Sequence, residues 1–276
     1  MSAATSRALG QQVRAEGRSG PDYVGGACQD RDMTIDALTP FRWLQPPYGD
    51  RGDLLGEIYC VTLVRGLDPA EVLRRFGART STQMSFAELK LAVSDFTMVT
   101  EGGEGGGYVG VVATGDGCAA VEPYGWSGTE MLARLSAGTD VVSVLRHDYA
   151  CDYFHYAADG MVLTAFDPSF PEWRSGADTD RLAGLMREFG LPLEEGSDED
   201  WDQRYDDLSG HGARMFAMAA RLTGVTFTAD LLDGPFLVGA IADLPPSQEP
   251  QPGKSLGAIL EQLKAAGGPE PDHGAA

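Results

Sequence analysis

The chain has 276 residues, 43% hydrophobic and 22% charged, the balance of a soluble globular protein long enough to bury a sizeable core. Its 41 Asp and Glu against 21 Lys and Arg give a net charge of −20, a surface that repels phosphate backbones and argues against DNA or RNA as a partner. The densest basic pair is Arg74-Arg75, no apolar run reaches membrane-spanning length, and the N-terminus lacks the apolar core of a signal peptide; a cytoplasmic protein with no membrane partner is expected.

Residues 1–33 are rich in Gly, Ser, Ala, Arg and Gln without apolar periodicity and read as a disordered extension, with Met33 a second candidate start. A single domain is expected over 34–240. Phe41, Trp43 and Leu44 form its aromatic lead-in, ended by Pro46-Pro47. Glu57–Val64 (EIYCVTLV) is β-branched and apolar on both alternations, the pattern of a strand buried on both faces. Gly66 breaks it, and Asp68-Pro69-Ala70-Glu71 starts a helix with Asp as N-cap and Pro at the first helical position. Val72, Leu73 and Phe76 share its inner face, and Gly77 closes it.

The run Gly102–Gly107 (GGEGGG) is a flexible tip rather than a phosphate cradle, because no Gly-Lys-Ser/Thr end leads into a helix. Tyr108–Ala113 and Cys118–Glu122 read as a hairpin around Thr114-Gly115-Asp116-Gly117, where Asp-Gly tolerates the positive φ of a tight turn. Ser127-Gly128-Thr129-Glu130 resembles a capping box ahead of Met131, Leu132 and Leu135, with Gly138 as the stop. Val141–Leu145, Cys151–Ala157 and Met161–Phe166 then form an antiparallel meander, its second turn at Asp159-Gly160.

From Asp178 the period changes to helical. Asp178 is read as the cap of a helix carrying Leu182, Leu185, Met186 and Phe189, ended by Gly190 and Pro192. Residues 193–208 hold eight carboxylates against Arg204 and read as a loop. Residues 211–223 form a helix with Met215, Phe216, Ala219 and Leu222 inward, followed by a helical turn at Thr228–Leu232. The remainder, 241–276, is a Pro-rich linker, a weak helix and a tail.

Residues 66–80 and 125–139 share six identities, among them Glu71/Glu130, Leu73/Leu132 and Arg75/Arg134. Duplication predicts two helices with equivalent contacts to the sheet; the alternative is convergence of any two capped amphipathic helices on the same rules.

Four widely spaced cysteines (Cys28, Cys60, Cys118, Cys151) contain no C-x-x-C pair, so neither a disulfide framework nor a zinc ribbon is expected. His147, Asp148, Cys151, Asp152 and His155 lie close in sequence, but on a hairpin His155 is several rungs from His147, at about 3.3 Å per residue. That spacing disfavours a metal, and no cofactor is expected. Cys151 with His147 or His155 is the one thiol–imidazole pair that could serve a nucleophile, with Arg174 as a nearby cation. Ser127 lacks the G-x-S-x-G elbow and is read as a cap. Trp126, Tyr153, Tyr156 and Trp173, with Arg174, are candidates for lining a small-molecule groove at the sheet end; rim packing is the plainer reading of such aromatics.

The segments LGEIYCVTLVRGLDPAEVLRRFGA, GWSGTEMLARLSAGTDVVSV and ADGMVLTAFDPSFPEWRSGADTDRL resemble an uncharacterised family of high-GC, actinobacterial-type proteins known only as a domain of unknown function. The resemblance spans residues 38–240 and implies a bacterial cytoplasmic protein with one shared architecture, carrying no catalytic residues over. The expected fold is α+β, a mostly antiparallel sheet with capped helices packed on one face and a helical C-terminal section. The expected function is a non-catalytic acidic binding protein, immunity- or antitoxin-like, that meets a basic partner protein. The alternative is an enzyme or small-molecule-binding protein using the His/Cys/Arg/aromatic residues at the sheet end.

Overall fold

A computed structural model describes residues 37–45, 53–101, 105–147, 152–194 and 211–241. The expected N-terminal extension, the acidic loop's 195–208 portion, the C-terminal linker and helix, and Cys28 and Cys151 lie outside the described residues. The rest is an α+β fold around one eight-stranded antiparallel sheet, in the order β2-β8-β3-β4-β1-β5-β6-β7.

The strand order follows from which sequences tolerate burial on both faces. β1 (Tyr59–Arg65) is apolar on both alternations and sits in the middle of the sheet, buried until its last residue. Beside it, β4 (Gly117–Pro123) is buried throughout and built mostly from small residues; a Cβ on Gly117 would stand 2.2 Å from the Val64 carbonyl oxygen. β3 (Tyr108–Thr114) and β4 form the expected hairpin, but the positive φ falls on Gly115 (56°) and not on the Asp116-Gly117 pair, whose Gly117 already opens β4. On the other flank β5 (Asp140–Arg146), β6 (Tyr153–Ala158) and β7 (Met161–Phe166) make the expected meander. Its last turn puts Asp159 at φ 50° and Gly160 at φ 81°, the two left-handed residues of a tight hairpin. β6 and β7 carry a bulge between Tyr156 and Ala157.

Alternation along the strands divides the core into two clusters, one on each face. On one face, Val64, Val111, Ala120 and Val141 pack with Leu73, Phe76, Leu132 and Leu135 from α1 (Pro69–Phe76), α3 (Ser127–Glu130) and α4 (Leu132–Leu135). α1 forms as its sequence dictates: the Asp68 carboxylate accepts the Glu71 N–H at 2.8 Å, and Gly77 ends the helix at φ 94°. Its buried Val72, Leu73 and Phe76 each contribute about 1.5–3 kcal/mol of apolar burial.

The opposite face carries the larger cluster. Val61, Leu63, Val121, Val144, Phe154 and Phe166 meet a 3-10 helix (Thr39–Leu44), α2 (Phe86–Thr100), α5 (Ala183–Glu188) and α6 (His211–Thr223). Stacked rings tie this layer together, Phe216 lying 6.5 Å from Phe41 and 5.7 Å from Phe227.

Three elements were not read from the sequence: α2, β2 (Thr82–Met84) and β8 (Phe236–Ala240). α2 has a complete capping box, Ser85 with Glu88, and buries Phe86, Leu89, Val93 and Phe96 at helical spacing. β8 is a five-residue strand that inserts between β2 and β3, a pairing with no local turn to announce it.

Two expected caps take another form. Ser127 lies inside its helical turn, and the amides at that end are bonded by Glu122 instead. Asp178 does not cap α5, whose N-cap is Leu182; its carbonyl accepts the Thr164 hydroxyl at 2.8 Å. The helices of the suspected repeat also differ. α1 is continuous and packs over β3, β8 and β4, whereas the second breaks at Met131 and packs over β1, β5, β6 and β7. The same alignment would place Val61, on one face of the sheet, opposite Ala120 on the other. The equivalence that duplication requires is absent; the caps differ, and what the two share is an apolar inner face, with Leu73 and Leu132 both buried.

Candidate functional site at the Tyr59 end of the sheet

Antiparallel pairing brings the starts of β1, β3 and β6 and the ends of β4, β5, β7 and β8 to one edge, marked by Tyr59, Tyr108, Tyr153, Pro123, Arg146, Phe166 and Ala240. Tyr59 and Arg146 are register partners there and share a side-chain hydrogen bond. The Tyr59 hydroxyl is buried, and desolvation pushes its pKa far up, with the Asp152 and Asp53 charges adding to the rise.

Asp152, one residue before β6, takes the backbone N–H of His147 and faces the Arg146 guanidinium. Burial raises its pKa to about 6; Arg146 opposes the rise and the Asp167 charge adds to it. Asp167, just past β7, is raised by burial while it accepts the Ser169 N–H at 2.7 Å. One partly buried carboxylate, Asp152, therefore shares the Arg146 guanidinium with Tyr59, and a second, Asp167, lies near enough for its charge to raise Asp152 further. Such a group can hold a cationic side chain or exchange a proton near neutrality.

The sheet face under α3 carries a second polar group. Glu122 is fully buried; its Oε2 accepts the Ser127 N–H at 3.0 Å and its Oε1 the Gly128 N–H at 2.8 Å. Cys60, its register partner, lies 3.1 Å from the Ser143 hydroxyl, which also accepts from Thr62 at 3.2 Å. Across the next pairing His155 stands opposite Ser143. Its Nδ1 is buried with no hydrogen-bond partner among the described residues, and desolvation lowers its pKa to about 4, so the ring is neutral at pH 7.

The residues singled out from the sequence do not line one groove. His147 follows β5 at the Tyr59 end and is half-buried. His155 lies inside the sheet on the Ser143 rung, beside Tyr153 with ring centroids 5.8 Å apart. Tyr156 points to the opposite face, into the larger core, where its hydroxyl donates to Asp140 at the far end at 2.8 Å. The Arg174 guanidinium is spent on its own loop, donating to the carbonyls of Pro171, Thr179 and Leu193 and to the Asp180 carboxylate. Trp173 is 62% exposed and stacks on Phe170 at 5.2 Å; the half-buried Trp126 sits by Gly105, whose Cβ would stand 3.5 Å from the indole. Of these candidates, Tyr153 and His155 are brought together. Among the described residues, no group of three or more His, Cys, Asp or Glu could hold a metal ion.

Sequence reasoning passed over Glu122, Arg146 and Tyr59, weighed Asp152 only within a metal cluster, and noted Asp167 only as a loop carboxylate at the sheet end. Glu122 had a visible signal, a carboxylate within the otherwise apolar run CAAVEP. The others gain meaning only from strand register.

The rim of this end is apolar as well as acidic. Among the described residues, the exposed large hydrophobic side chains are Met98, Val99, Tyr124, Tyr153, Met161 and Trp173. All but Met161 belong to the Tyr59 end. Met98 and Val99 close α2 just before the chain enters β3, Tyr124 follows β4, Tyr153 opens β6, and Trp173 lies in the loop after β7.

The model of a family of unknown function (DUF6461) matches residues 36–246, which takes in every described element from the 3-10 helix to β8. The chain belongs to this family. No curated protein and no solved structure matches it. The sheet with its two covered faces and its Tyr59 end is thus the structure of a DUF6461 domain, and among its described residues no helix is long and apolar enough to cross a membrane.

Proposed function

We propose that this DUF6461 protein is a non-catalytic binding protein that presents the Tyr59 end of its sheet to a basic partner protein, as an immunity or antitoxin protein would, in the cytoplasm of a high-GC bacterium. The observation that carries the reading is the collection of exposed Met98, Val99, Tyr124, Tyr153 and Trp173 at one end of the sheet; among the described residues, Met161 is the one other large apolar side chain left exposed. Aromatic side chains with an apolar body and a polar tip are the usual anchors of protein interfaces. Asp53, Glu57, Glu101, Asp152, Asp167 and Glu172 adjoin the same strand ends, and with the net charge of −20 they supply complementarity to a basic surface.

The test is co-purification of a partner by tagged protein at low and high salt, repeated with Tyr124→Ala/Trp173→Ala. A specific partner lost both in high salt and in the double variant supports the reading. A partner held equally by the variant, or salt-insensitive binding, overturns it.

A second reading, an enzyme or small-molecule-binding protein, draws on the Tyr59–Arg146–Asp152–Asp167 group, where a carboxyl raised to about 6 lies beside a guanidinium. A small ligand whose binding is abolished by Asp152→Asn, with the partner-binding assay unchanged, would favour it.

A further inference from the structure

The Tyr124–Gly128 turn is built onto a carboxylate that water does not reach. A Cβ on Gly125 would stand 2.7 Å from the Glu122 Cβ, and one on Gly128 would stand 2.9 Å from its Oε1, so both glycines are required by close approach to that side chain. Tyr124 enters the turn at φ 52°, its N–H bonded to the Ile58 carbonyl and its ring 52% exposed. Each carboxylate oxygen serves one amide, Oε2 that of Ser127 and Oε1 that of Gly128. A neutral hydroxyl or amide cap could satisfy such amides without burying a charge.

We propose that Glu122 is a proton-controlled latch on the Tyr124–Gly128 turn: ionised, it holds the Ser127 and Gly128 amides against the sheet; protonated, it releases one of them and loosens the turn that displays Tyr124. The chemistry follows from the donor set. Around the two oxygens stand the two amides, the Ser127 hydroxyl and the Cys60 thiol. The hydroxyl and thiol can turn round to accept a hydrogen bond, but the amides cannot. A proton on either oxygen therefore weakens the bond to its own amide.

The surroundings set the range. Burial raises the Glu122 carboxyl to about 7, against the opposing pull of the amides, Ser127 and Cys60. Of the side chains that face it, Thr62 and Ser143 are neutral, β3 offers apolar Val109, and Cys60 is held protonated by burial and by Glu122 itself. The five largest influences on it are burial, the Gly128 and Ser127 amides, the Ser127 hydroxyl and the Cys60 thiol, none of them a charged side chain. His155, three strands over on the same face, stays neutral over this range. The latch stands whether or not the Tyr124 rim is a docking surface.

The experiment is NMR on the full chain labelled with 13C at the Glu carboxyls and with 15N, titrated from acid to mildly alkaline pH. The expected result is a Glu122 carboxyl that titrates near neutrality. Exchange of the Ser127 and Gly128 amides, corrected for intrinsic pH dependence, should speed up about tenfold as the proton is taken up, since a charge-assisted bond is roughly twice as strong as a neutral one. The Val61 and Val144 amides of the central strands should not change. Glu122→Gln should hold the turn in its loosened state at every pH; should that variant not fold, the wild-type titration decides alone. A carboxyl ionised throughout, or amides that ignore its titration, overturns the proposal.

Discussion

Gly128→Ala is the sharpest test of how the second sheet face is packed. An added Cβ would stand 2.2 Å from the Thr62 Oγ1, 2.9 Å from the Glu122 Oε1 and 3.1 Å from the Cys60 Sγ. Thr62 is fully buried and β-branched, so it has little room to give. Overpacking of this kind costs about 1–3 kcal/mol, and displacing Glu122 from the Gly128 amide adds about 1–2 kcal/mol. The expected loss is about 3 kcal/mol, or ~6–12 °C in Tm for a domain of this size. Gly138→Ala is the control: φ is +71° there with nothing within 4 Å of the new Cβ, so only the left-handed strain of about 1–2 kcal/mol is expected. Urea unfolding of both variants and of Thr62→Ala/Gly128→Ala completes the cycle. Removing Thr62 Oγ1 relieves the tightest contact, so Gly128→Ala should cost about 1 kcal/mol less in the Thr62→Ala background. If Gly128→Ala costs no more than Gly138→Ala, or the two changes at 62 and 128 are strictly additive, the packing argument is refuted.

Other outcomes follow from the same structure. Because burial lowers the His155 pKa to about 4 from 6.5, the native state holds fewer protons than the unfolded chain between those values, and stability falls as pH drops through that window. His155→Phe should therefore gain up to about 2 kcal/mol relative to wild type between pH 6.5 and pH 5, read by urea midpoints at each pH. Asp152, raised to about 6, works in the opposite sense: its contribution is present in acid and lost as pH rises toward 6, so Asp152→Asn should flatten that loss. Arg75 donates at 2.8 Å to the carbonyls of Leu135 and Ala137 past the end of α4, with its side chain 16% exposed; Arg75→Ala should cost about 1.5–3 kcal/mol in thermal or urea unfolding. Arg74 bonds only Glu71 on the surface among its described contacts, and Arg74→Ala should leave the melting curve unchanged.

What could be read in the chain was whatever local chemistry dictates. The Asp68 cap with Pro69 and Gly77, the Thr114–Gly117 and Asp159-Gly160 turns, and the doubly apolar β1 each need only their own neighbours, and each forms at its place in the chain, although Gly115 and not Asp116-Gly117 takes the positive φ of the first turn. The helix at 127–135 shows the limit of that logic. Its Ser-x-x-Glu pattern matches a capping box, yet Glu122, from the preceding strand and buried beneath the turn, bonds the amides first. β8 carries five residues of ordinary strand composition and gains its partners only because β2 and β3 leave a gap for it.

The candidate site divides in the same way. Composition alone settles the acidity and the near-absence of basic clusters, since net charge is a sum that folding does not alter. Placement is different. His147, Tyr153, His155 and Tyr156 are neighbours in sequence, but strand alternation sends Tyr156 to the opposite face from Tyr153 and His155. Tyr59, Arg146, Asp152 and Asp167, spread over more than a hundred residues, meet because antiparallel register aligns the ends of β1, β5, β6 and β7. The chain determines which side chains are available and where its turns fall; only the sheet's register decides which of them share a surface and which are buried apart.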